Sequence, residues 1–311
     1  MEQVQFNHCP VMKSEAIEYL QINPEGVYFD LTLGGGSHSE EIAKKLMGGK
    51  LIAVDRDPDA IEYSRDKLKG YGDKIYFVND NFANIKNIAS GLGYEKIDGA
   101  LMDLGVSSYQ IESDRGFSYM KDSPLAMTMD KNQEFTAAVL VNTFKKEKLR
   151  EIISNDGDEK YAGLIAGEIV KRRETKPFET TLELSETIKC AVKNVKYSGG
   201  HPAKKSFSFI RAYVNDELYS IKTALDAIEQ MLNKSGRLVV ISFDGDEDKI
   251  TKKCFGYYEK NCVCPPKFPV CICEKRTTSK AVTKKPVYPS QKEKRENPRS
   301  ESARLRVLEK L

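Results

Sequence analysis

The sequence contains no apolar run of about eighteen residues, and this absence excludes an ordinary transmembrane helix. Its opening stretch, MEQVQFNHCPVMKSEAIEYL, lacks the basic-then-apolar layout of a secretory signal peptide. The seven cysteines are an odd number without such a signal, which favours free thiols in a reducing cytoplasm over a disulfide framework. The three histidines are too scattered to predict a metal site. We therefore expect a cytoplasmic protein with no membrane partner.

Length and charge set the next bounds. The 311 residues, 40% of them hydrophobic, suffice for one large domain or for one domain with an insertion. The net charge of +3 is uneven, because residues 275–311 hold twelve Lys/Arg and four Glu, a net of +8 that leaves −5 elsewhere. This basic tail from about residue 275 is either a solvated, poorly ordered end or an arm that faces nucleic acid. Composition alone leaves both open.

The first third of the chain alternates strand and helix patterns. Its apolar strand candidates are VYFDLTL, KLIAVDRD, KIYFVND and IDGALMDLGVSS, and amphipathic helical stretches separate them. This alternation predicts an α/β fold with a parallel sheet covered by helices on both faces.

The alternation stops after residue 108. Residues 109–205 contain four stretches with helical spacing and no strand candidate, so we predict a helical insertion domain there. The sheet domain is then discontinuous, 1–108 and 206–311. In its second part FIRAYVNDELYSIKTALDAIEQMLN predicts one long helix, RLVVISF a strand, and PPKFPVCICEKR a short strand pair.

Three consecutive glycines, Gly34 to Gly36, lie between the first strand and the first helix of this alternation. A phosphate-binding loop would need Gly-Lys-Ser/Thr here, and a dinucleotide site would favour G-x-G-x-x-G; neither is present. Asp55 ends the second strand, where a carboxylate accepts hydrogen bonds from ribose hydroxyls. NAD and S-adenosylmethionine both carry that ribose, and a tight turn without a ligand is the third possibility.

Three later features favour S-adenosylmethionine. The stretch LNKSGRLVVISF resembles the penultimate sheet strand of Rossmann-like methyltransferases. Phe82 in DNFANI is placed to stack on adenine, or else to pack at a helix start. Asp103 ends the fourth strand, where a carboxylate can hold the hydrogens of an acceptor amine and orient its lone pair; capping a loop is its alternative role.

An ordered set of motifs then resembles the small-subunit rRNA (cytosine-N4)-methyltransferase H family over about residues 6–311. The motifs are HCPVM, DLTLGGGSHS, DRDPDAI, DNFANI, DLGVSSYQIESDRGFSY, PLAMTMD, HPAKKSFSFIRAYVNDEL, VISF, EDK and CVCPPKFPVCIC.

This resemblance implies a Rossmann-like S-adenosylmethionine-dependent methyltransferase sheet with an inserted helical domain that recognises the substrate. It also implies N4-methylation of a decoding-centre cytidine in 16S rRNA of the small ribosomal subunit, with Asp103 as the catalytic residue. By motif match, the cofactor contacts fall on Gly36, Ser37, His38, Asp55, Phe82, Asp103 and Gln110.

The chain departs from the family pattern mainly outside the cofactor turn. Ser37 replaces a glycine, which would cost on the order of 1 kcal/mol if that position needed a positive φ. The other departures are Ala126, Thr128, Lys204, Lys205, Asp244, Gly245 and Asp246. A divergent second copy of the enzyme would show this pattern. A pseudoenzyme that binds cofactor and RNA, a methyltransferase for another amine, and a nicotinamide oxidoreductase are the alternatives.

Two further predictions concern the C-terminal region. Cys262, Cys264, Cys271 and Cys273 form C-x-C…C-x-C, which suggests zinc, but the commoner zinc spacing is C-x₂-C, so we expect structural thiols and no metal. The stretch PRSESARLRVLEKL predicts a short helix with Arg304 and Arg306 outward.

Overall fold

The computed structural model describes residues 10–154, 161–194, 200–265 and 270–311. His8, in the motif HCPVM, lies outside the described residues. None of the helices in these ranges is long and apolar enough to cross a bilayer. The described residues form two compact units. One, the helical unit, is Val106–Glu217; the other, the sheet unit, combines the described residues up to Gly105 with Leu218–Leu311.

The described part of the sheet unit contains one seven-stranded sheet with the order β3-β2-β1-β4-β5-β7-β6. Its strands are β1 (Val27–Asp30), β2 (Lys50–Asp55), β3 (Ile75–Asn79), β4 (Ile97–Asp103), β5 (Leu232–Ser242), β6 (Ser279–Ala281) and β7 (Arg304–Lys310). Strands β1 to β5 run parallel, and β7 lies antiparallel between β5 and β6. The predicted α/β fold is therefore confirmed, and without β7 the order is that of a doubly wound nucleotide-binding sheet.

Helices flank this sheet and build the helical unit. In chain order the α-helices of the described residues are α1 (Lys13–Leu20), α2 (Ser37–Lys45), α3 (Pro58–Leu68), α4 (Ile85–Gly91), α5 (Ser108–Glu112), α6 (Ala137–Thr143), α7 (Lys146–Ser154), α8 (Ala162–Arg173), α9 (Thr181–Val192), α10 (Ala203–Val214), α11 (Glu217–Met231), α12 (Gly245–Tyr258) and α13 (Gln291–Glu296).

The sheet is buried on both faces. Successive strand residues point to opposite faces, so neighbours in sequence enter different cores. Leu51 packs in one apolar cluster together with helix α1, whereas Ile52 packs in the other together with Leu225 and Phe255. The nearly continuous apolar strands of the sequence are the expected result of this double burial.

The helical unit has its own core, to which Leu140, Ile165 and Ile188 contribute. Helix α10, which begins near the predicted end of the insertion, adds Phe207 and Ile210 to the same core. The long helix predicted after residue 208 is interrupted between α10 and α11.

The interruption has a local cause at Asn215 and Asp216. The Asn215 side chain accepts a hydrogen bond from Met129 N at 2.8 Å and donates one to Met127 O at 2.6 Å. The next residue, Asp216, has a φ of 51°, and a right-handed helix cannot continue through a residue with this backbone angle. The sequence predicted one continuous helix because α10 and α11 each bury an apolar face, so the helical spacing of apolar residues continues across the break.

The C-terminal region differs from the sequence prediction. Residues 266–269 of the predicted strand pair lie outside the described residues, and the described residues 270–275 are not strand. The predicted C-terminal helix is wrong for Arg304–Lys310, which form β7 and bury Leu305, Val307 and Leu308 completely. Only Pro298–Ser302, at the start of the predicted helix, form a short 3₁₀ helix. Arg306 does not point outward into solvent. It is 8% exposed and pairs with Asp248 through two hydrogen bonds of 2.6 and 3.1 Å.

Candidate active site

The candidate site lies in the sheet unit at the carboxyl ends of β1, β2 and β4. Strand β1 pairs with β2 on one side and with β4 on the other, so the strand order reverses at this point. In open α/β sheets, ligands bind outside the carboxyl ends of the strands at such a reversal. Each of the three strands ends in an acid: Asp30, Asp55 and Asp103.

The glycine turn between β1 and α2 is fixed from both neighbouring strands. Gly34 N donates to Asp55 Oδ2 at 2.8 Å, and Asp103 N donates to Thr32 Oγ1 at 2.6 Å. Gly34 has φ 47° and Gly36, the residue before α2, has φ 71°. A Cβ on Gly36 would lie 3.0 Å from Ser64 Oγ, so both conformation and space require glycine there.

Ser37 is the first residue of α2 and is not among the residues with positive φ. The cost that the sequence analysis attached to this replacement of glycine therefore does not arise. The residue before it, Gly36, carries the positive φ and has no side chain to cap α2. The first backbone N–H groups of α2 are thus oriented as a helix N-terminus suited to an anionic group.

Asp55 is held by backbone donors on both oxygens. Oδ2 accepts from Gly34 N and Oδ1 accepts from Asp57 N at 2.9 Å. Burial raises the pKa of the Asp55 carboxyl to about 6. A carboxylate offers about four acceptor positions, so each oxygen keeps capacity for a ribose hydroxyl.

Phe82 lies in the loop after β3, and this loop is hydrogen-bonded to the end of β2 near Asp55. Asp80 N donates to Asp55 O at 3.1 Å, which fixes the start of that loop beside the end of β2. Phe82 opens a short 3₁₀ turn, Phe82–Asn84, and the Asn81 side chain caps it by accepting from Ala83 N at 2.9 Å. The Phe82 ring is half-buried and packs against the apolar cluster of the sheet unit, so helix-start packing uses part of its surface.

Asp103 is held in an unusual way. Its Oδ2 lies 3.7 Å from His38 Nδ1, an ion-pair distance. Its Oδ1 is buried and has no hydrogen-bond partner within the described residues. Burial, together with the negative charges of Asp30 and Glu247, raises the pKa of Asp103 well above its usual range. A buried acceptor without a partner in a native structure usually marks a ligand or a function.

His38 is buried and fixed at its other ring nitrogen. Nε2–H donates to Val11 O at 3.2 Å, since a carbonyl can only accept. This bond sets the ring so that Nδ1 faces Asp103. The structure thus places His38 beside Asp103. The cofactor contacts assigned to both residues remain predictions.

Two further buried acids were missed by the sequence analysis. Asp30 is 1% exposed, accepts from Ser39 Oγ at 2.7 Å, and has a pKa raised by burial to about 6. Glu247 is 3% exposed and accepts from Phe243 N at 2.8 Å and Asp244 N at 3.0 Å. Asp30 could have been predicted, because it is the acid that ends the strand pattern VYFD. No local pattern predicted that the charge of Glu247 would act on Asp103.

Gln110 lies in the helical unit and has a structural role of its own. Its side-chain oxygen accepts from Ser107 N at 3.0 Å, and its backbone N–H donates to Ser107 Oγ at 3.2 Å. The two residues form a capping box at the start of α5. The predicted cofactor contact at Gln110 stays a prediction.

The departures from the family pattern have local structural explanations in part. Asp244 accepts from Asp246 N at 2.9 Å and caps α12, which Gly245 begins. Thr128 is buried at 6% exposure in the helical unit. Ala126 is half-buried in the same segment. At the remaining departures, Lys204 and Lys205 are exposed on the first turn of α10.

The doubly wound sheet, the glycine turn and the acid at the end of β2 define a Rossmann-like domain suited to a cofactor that carries a ribose. The sequence model of the MraW methylase family matches residues 5–311. The chain therefore belongs to the MraW methylase family, and its methyl donor is S-adenosylmethionine.

Relatives of known name agree with this assignment. The chain is 47% identical to the ribosomal RNA small subunit methyltransferase H of Finegoldia magna, over 99% of this chain and 100% of that one. It is 48% identical to the protein of the same name from Clostridium botulinum strain Loch Maree, with the same coverage. It is 44% identical to the ribosomal RNA small subunit methyltransferase H 2 of Agathobacter rectalis, over 99% of each chain.

Proposed function

We propose that this protein transfers a methyl group from S-adenosylmethionine to the exocyclic N4 of a decoding-centre cytidine in 16S rRNA of the small ribosomal subunit. The observation that carries the proposal is the buried Asp103 Oδ1 without a hydrogen-bond partner within the described residues. It lies at the carboxyl end of β4, next to the turn that fits the cofactor. An amine hydrogen is the donor that this oxygen lacks.

The residues of the sheet unit fit the proposed cofactor. Asp55 keeps acceptor capacity for ribose hydroxyls, and the half-buried Phe82 ring offers a face to adenine. The uncapped start of α2 offers N–H groups to a carboxylate. When bound, S-adenosylmethionine supplies an electrophilic methyl group and a positive sulfonium charge.

Asp103 would act on the acceptor amine in two ways. Its Oδ1 accepts an N4 hydrogen and so orients the nitrogen lone pair, a positioning effect. Its raised pKa makes the ionised carboxylate a stronger base for the proton that N4 must lose. Positive charge nearby favours the ionised form, so a cationic ligand prepares Asp103 for this role.

We assign substrate recognition to the helical unit. Lys204 and Lys205 are exposed at the start of α10, and Lys171 is exposed on the last turn of α8. Basic side chains of this kind bind RNA phosphates with little dependence on sequence. The proposed reaction takes place in the cytoplasm, where small subunits are assembled.

The proposal is tested by the identity of the methylated nucleoside. Small subunits from cells that lack the activity, free 16S rRNA and large subunits are each incubated with labelled S-adenosylmethionine and the protein. The RNA is then digested to nucleosides. We expect label in N4-methylcytidine from 16S rRNA and no label from large subunits. Label in another nucleoside would assign a different amine, and cofactor binding without any label would support the pseudoenzyme alternative.

A further inference from the structure

We propose that Cys262, Cys264, Cys271 and Cys273 bind one structural zinc ion. The four Sγ atoms all lie within 4.8 Å of one another. They belong to the excursion between α12 and β6, residues 259–278, which the candidate active site does not use. The C-x-C spacing departs from the commoner C-x₂-C and had favoured structural thiols without metal.

The distances between sulfurs match a tetrahedral zinc site. With Zn–S bonds of about 2.3 Å, the edges of an S₄ tetrahedron are about 3.8 Å. The Sγ–Sγ distances are 3.5 Å for Cys262–Cys271, 3.6 Å for Cys271–Cys273, 3.8 Å for Cys262–Cys273 and 4.0 Å for Cys264–Cys271. A disulfide needs about 2.05 Å, so the cluster has the size of a metal site rather than of a disulfide pair.

Backbone donors around the cluster suit thiolates. Val263 N donates to Cys273 Sγ at 3.3 Å, Cys264 N to Cys262 Sγ at 3.4 Å, and Ile272 N to Cys264 Sγ at 3.4 Å. Hydrogen bonds of this kind orient metal ligands and stabilise the negative charge on sulfur. Three neutral thiols would gain little from the same donors.

The excursion has no apolar core to explain its shape. Thr278 N donates to Tyr258 O at 3.1 Å, which closes its base. None of its described residues, 259–265 and 270–278, is buried, and Val270 and Ile272 are each 70% exposed. A segment of this size without a core is ordinarily stabilised by a disulfide or a metal. Beyond the contacts at its base, the four thiols converge on one another within these described residues.

Zinc is the ion that the ligand set selects. Four thiolates in a tetrahedron suit zinc or an iron–sulfur centre, and four protein ligands leave no open position for chemistry. Binding replaces four thiol protons by one Zn²⁺, so four protons are released and no electron is transferred. A closed S₄ site without redox chemistry is a structural zinc site.

Metal analysis of the chain, purified without an affinity tag from zinc-supplemented cells, tests the proposal. We expect about one zinc per chain by inductively coupled plasma mass spectrometry. The double variant Cys262→Ser/Cys264→Ser should lose at least about nine-tenths of it. The matched control is Cys190→Ser, which removes an exposed free cysteine of α9 and should keep all of it.

A second readout keeps the test informative if the double variant folds poorly. Replacement of zinc by cobalt in the unaltered chain should give the visible absorption of a tetrahedral thiolate site, and Cys190→Ser should match it. Two outcomes would overturn the proposal. One is an unaltered chain that carries no zinc and shows four free thiols or two disulfides by mass. The other is iron or copper in place of zinc.

Discussion

Asp55 and Asp103 end the two strands that flank β1, but the protein holds them differently. Asp55 accepts a backbone hydrogen bond on each oxygen, which fixes the carboxylate while leaving acceptor capacity. Asp103 keeps one buried oxygen without a partner within the described residues and faces His38 with the other. The first arrangement suits a ribose that is only bound, and the second suits a group that reacts.

We predict that Asp55→Asn lowers the affinity for S-adenosylmethionine at least about tenfold, because hydrogen bonds to a charged acceptor contribute about 1.5–3 kcal/mol each. Isothermal calorimetry measures the affinity. The control is Asp98→Asn, since Asp98 also accepts from a backbone N–H, that of Val27 at 2.8 Å, but lies at the opposite end of β4. Equal affinity in Asp55→Asn and Asp98→Asn would remove Asp55 from the cofactor site.

We predict that the same affinity depends on pH. The pKa of Asp55 is raised to about 6, so the carboxylate becomes protonated as pH falls through 6 and loses an acceptor. The affinity should fall roughly tenfold between pH 7 and pH 5. In Asp55→Asn this dependence should be largely absent, and a wild-type affinity that is constant over this range would contradict the assignment.

The raised pKa values also affect stability. For Asp30 and Asp55 the folded-state pKa of about 6 exceeds the ordinary value of 3.8. The folded chain therefore holds these protons more tightly than the unfolded chain. Their contribution to the free energy of unfolding falls as pH rises from about 4 to about 6.

The site residues show what a sequence can predict. The positions of Gly36, Asp55 and Asp103 in the fold were predictable, because a glycine turn and acids at strand ends are local patterns with a known place in a doubly wound sheet. Glu247 was not, because its charge acts on Asp103, a residue far away in sequence. The role of the Asp244 side chain as the N-cap of α12 was also missed, because the residue was considered only as a departure from the family motif.

At the scale of elements, the C-terminal strand β7 gives the clearest correction. The letters RLRV alternate charged and apolar residues, a strand pattern, but the excess of positive charge favoured an exposed tail. In the structure two of the basic residues of β7 pair with acids elsewhere in the sheet unit, Arg306 with Asp248 and Lys310 with Glu229 at 2.7 Å. Pairing across the fold cannot be deduced from the composition of one segment.

We predict that deleting residues 304–311 prevents stable folding, because β7 pairs with both β5 and β6 and its apolar side chains are fully buried. A milder change, Leu308→Ala, should lower the free energy of unfolding by about 2–5 kcal/mol. Chemical denaturation measures both. As a control, Lys284→Gln/Lys285→Gln changes tail residues of low burial and should leave stability within about 0.5 kcal/mol. A soluble, fully stable truncation would restore the interpretation of the segment as an exposed arm.

At the scale of the whole molecule, the chain divides into two compact units. The acids and the glycine turn of the candidate site lie in the sheet unit, and exposed basic side chains such as Lys204 lie in the helical unit. Because Arg304–Lys310 of the basic tail form a buried strand, we propose that RNA binds to the helical unit rather than to this end of the tail.

We predict that Lys204→Glu/Lys205→Glu weakens binding to small subunits at least about tenfold at moderate salt and lowers its salt dependence, because fewer counterions are released from phosphates. Filter binding over a salt series measures both. Affinity for S-adenosylmethionine should not change. The matched control is Lys252→Glu/Lys253→Glu, the same charge reversal at exposed positions of α12 in the sheet unit. Equal losses in the two variants would indicate a general charge effect instead.

The central claim is that Asp103 receives the acceptor amine. The most direct test is the single-turnover rate of methyl transfer to small subunits by Asp103→Asn, measured at saturating S-adenosylmethionine so that any loss of cofactor affinity is removed. Circular dichroism controls for folding. We predict a rate at least about a hundredfold below wild type, since the amine loses both its orienting acceptor and its base. A rate equal to that of wild type would contradict the account.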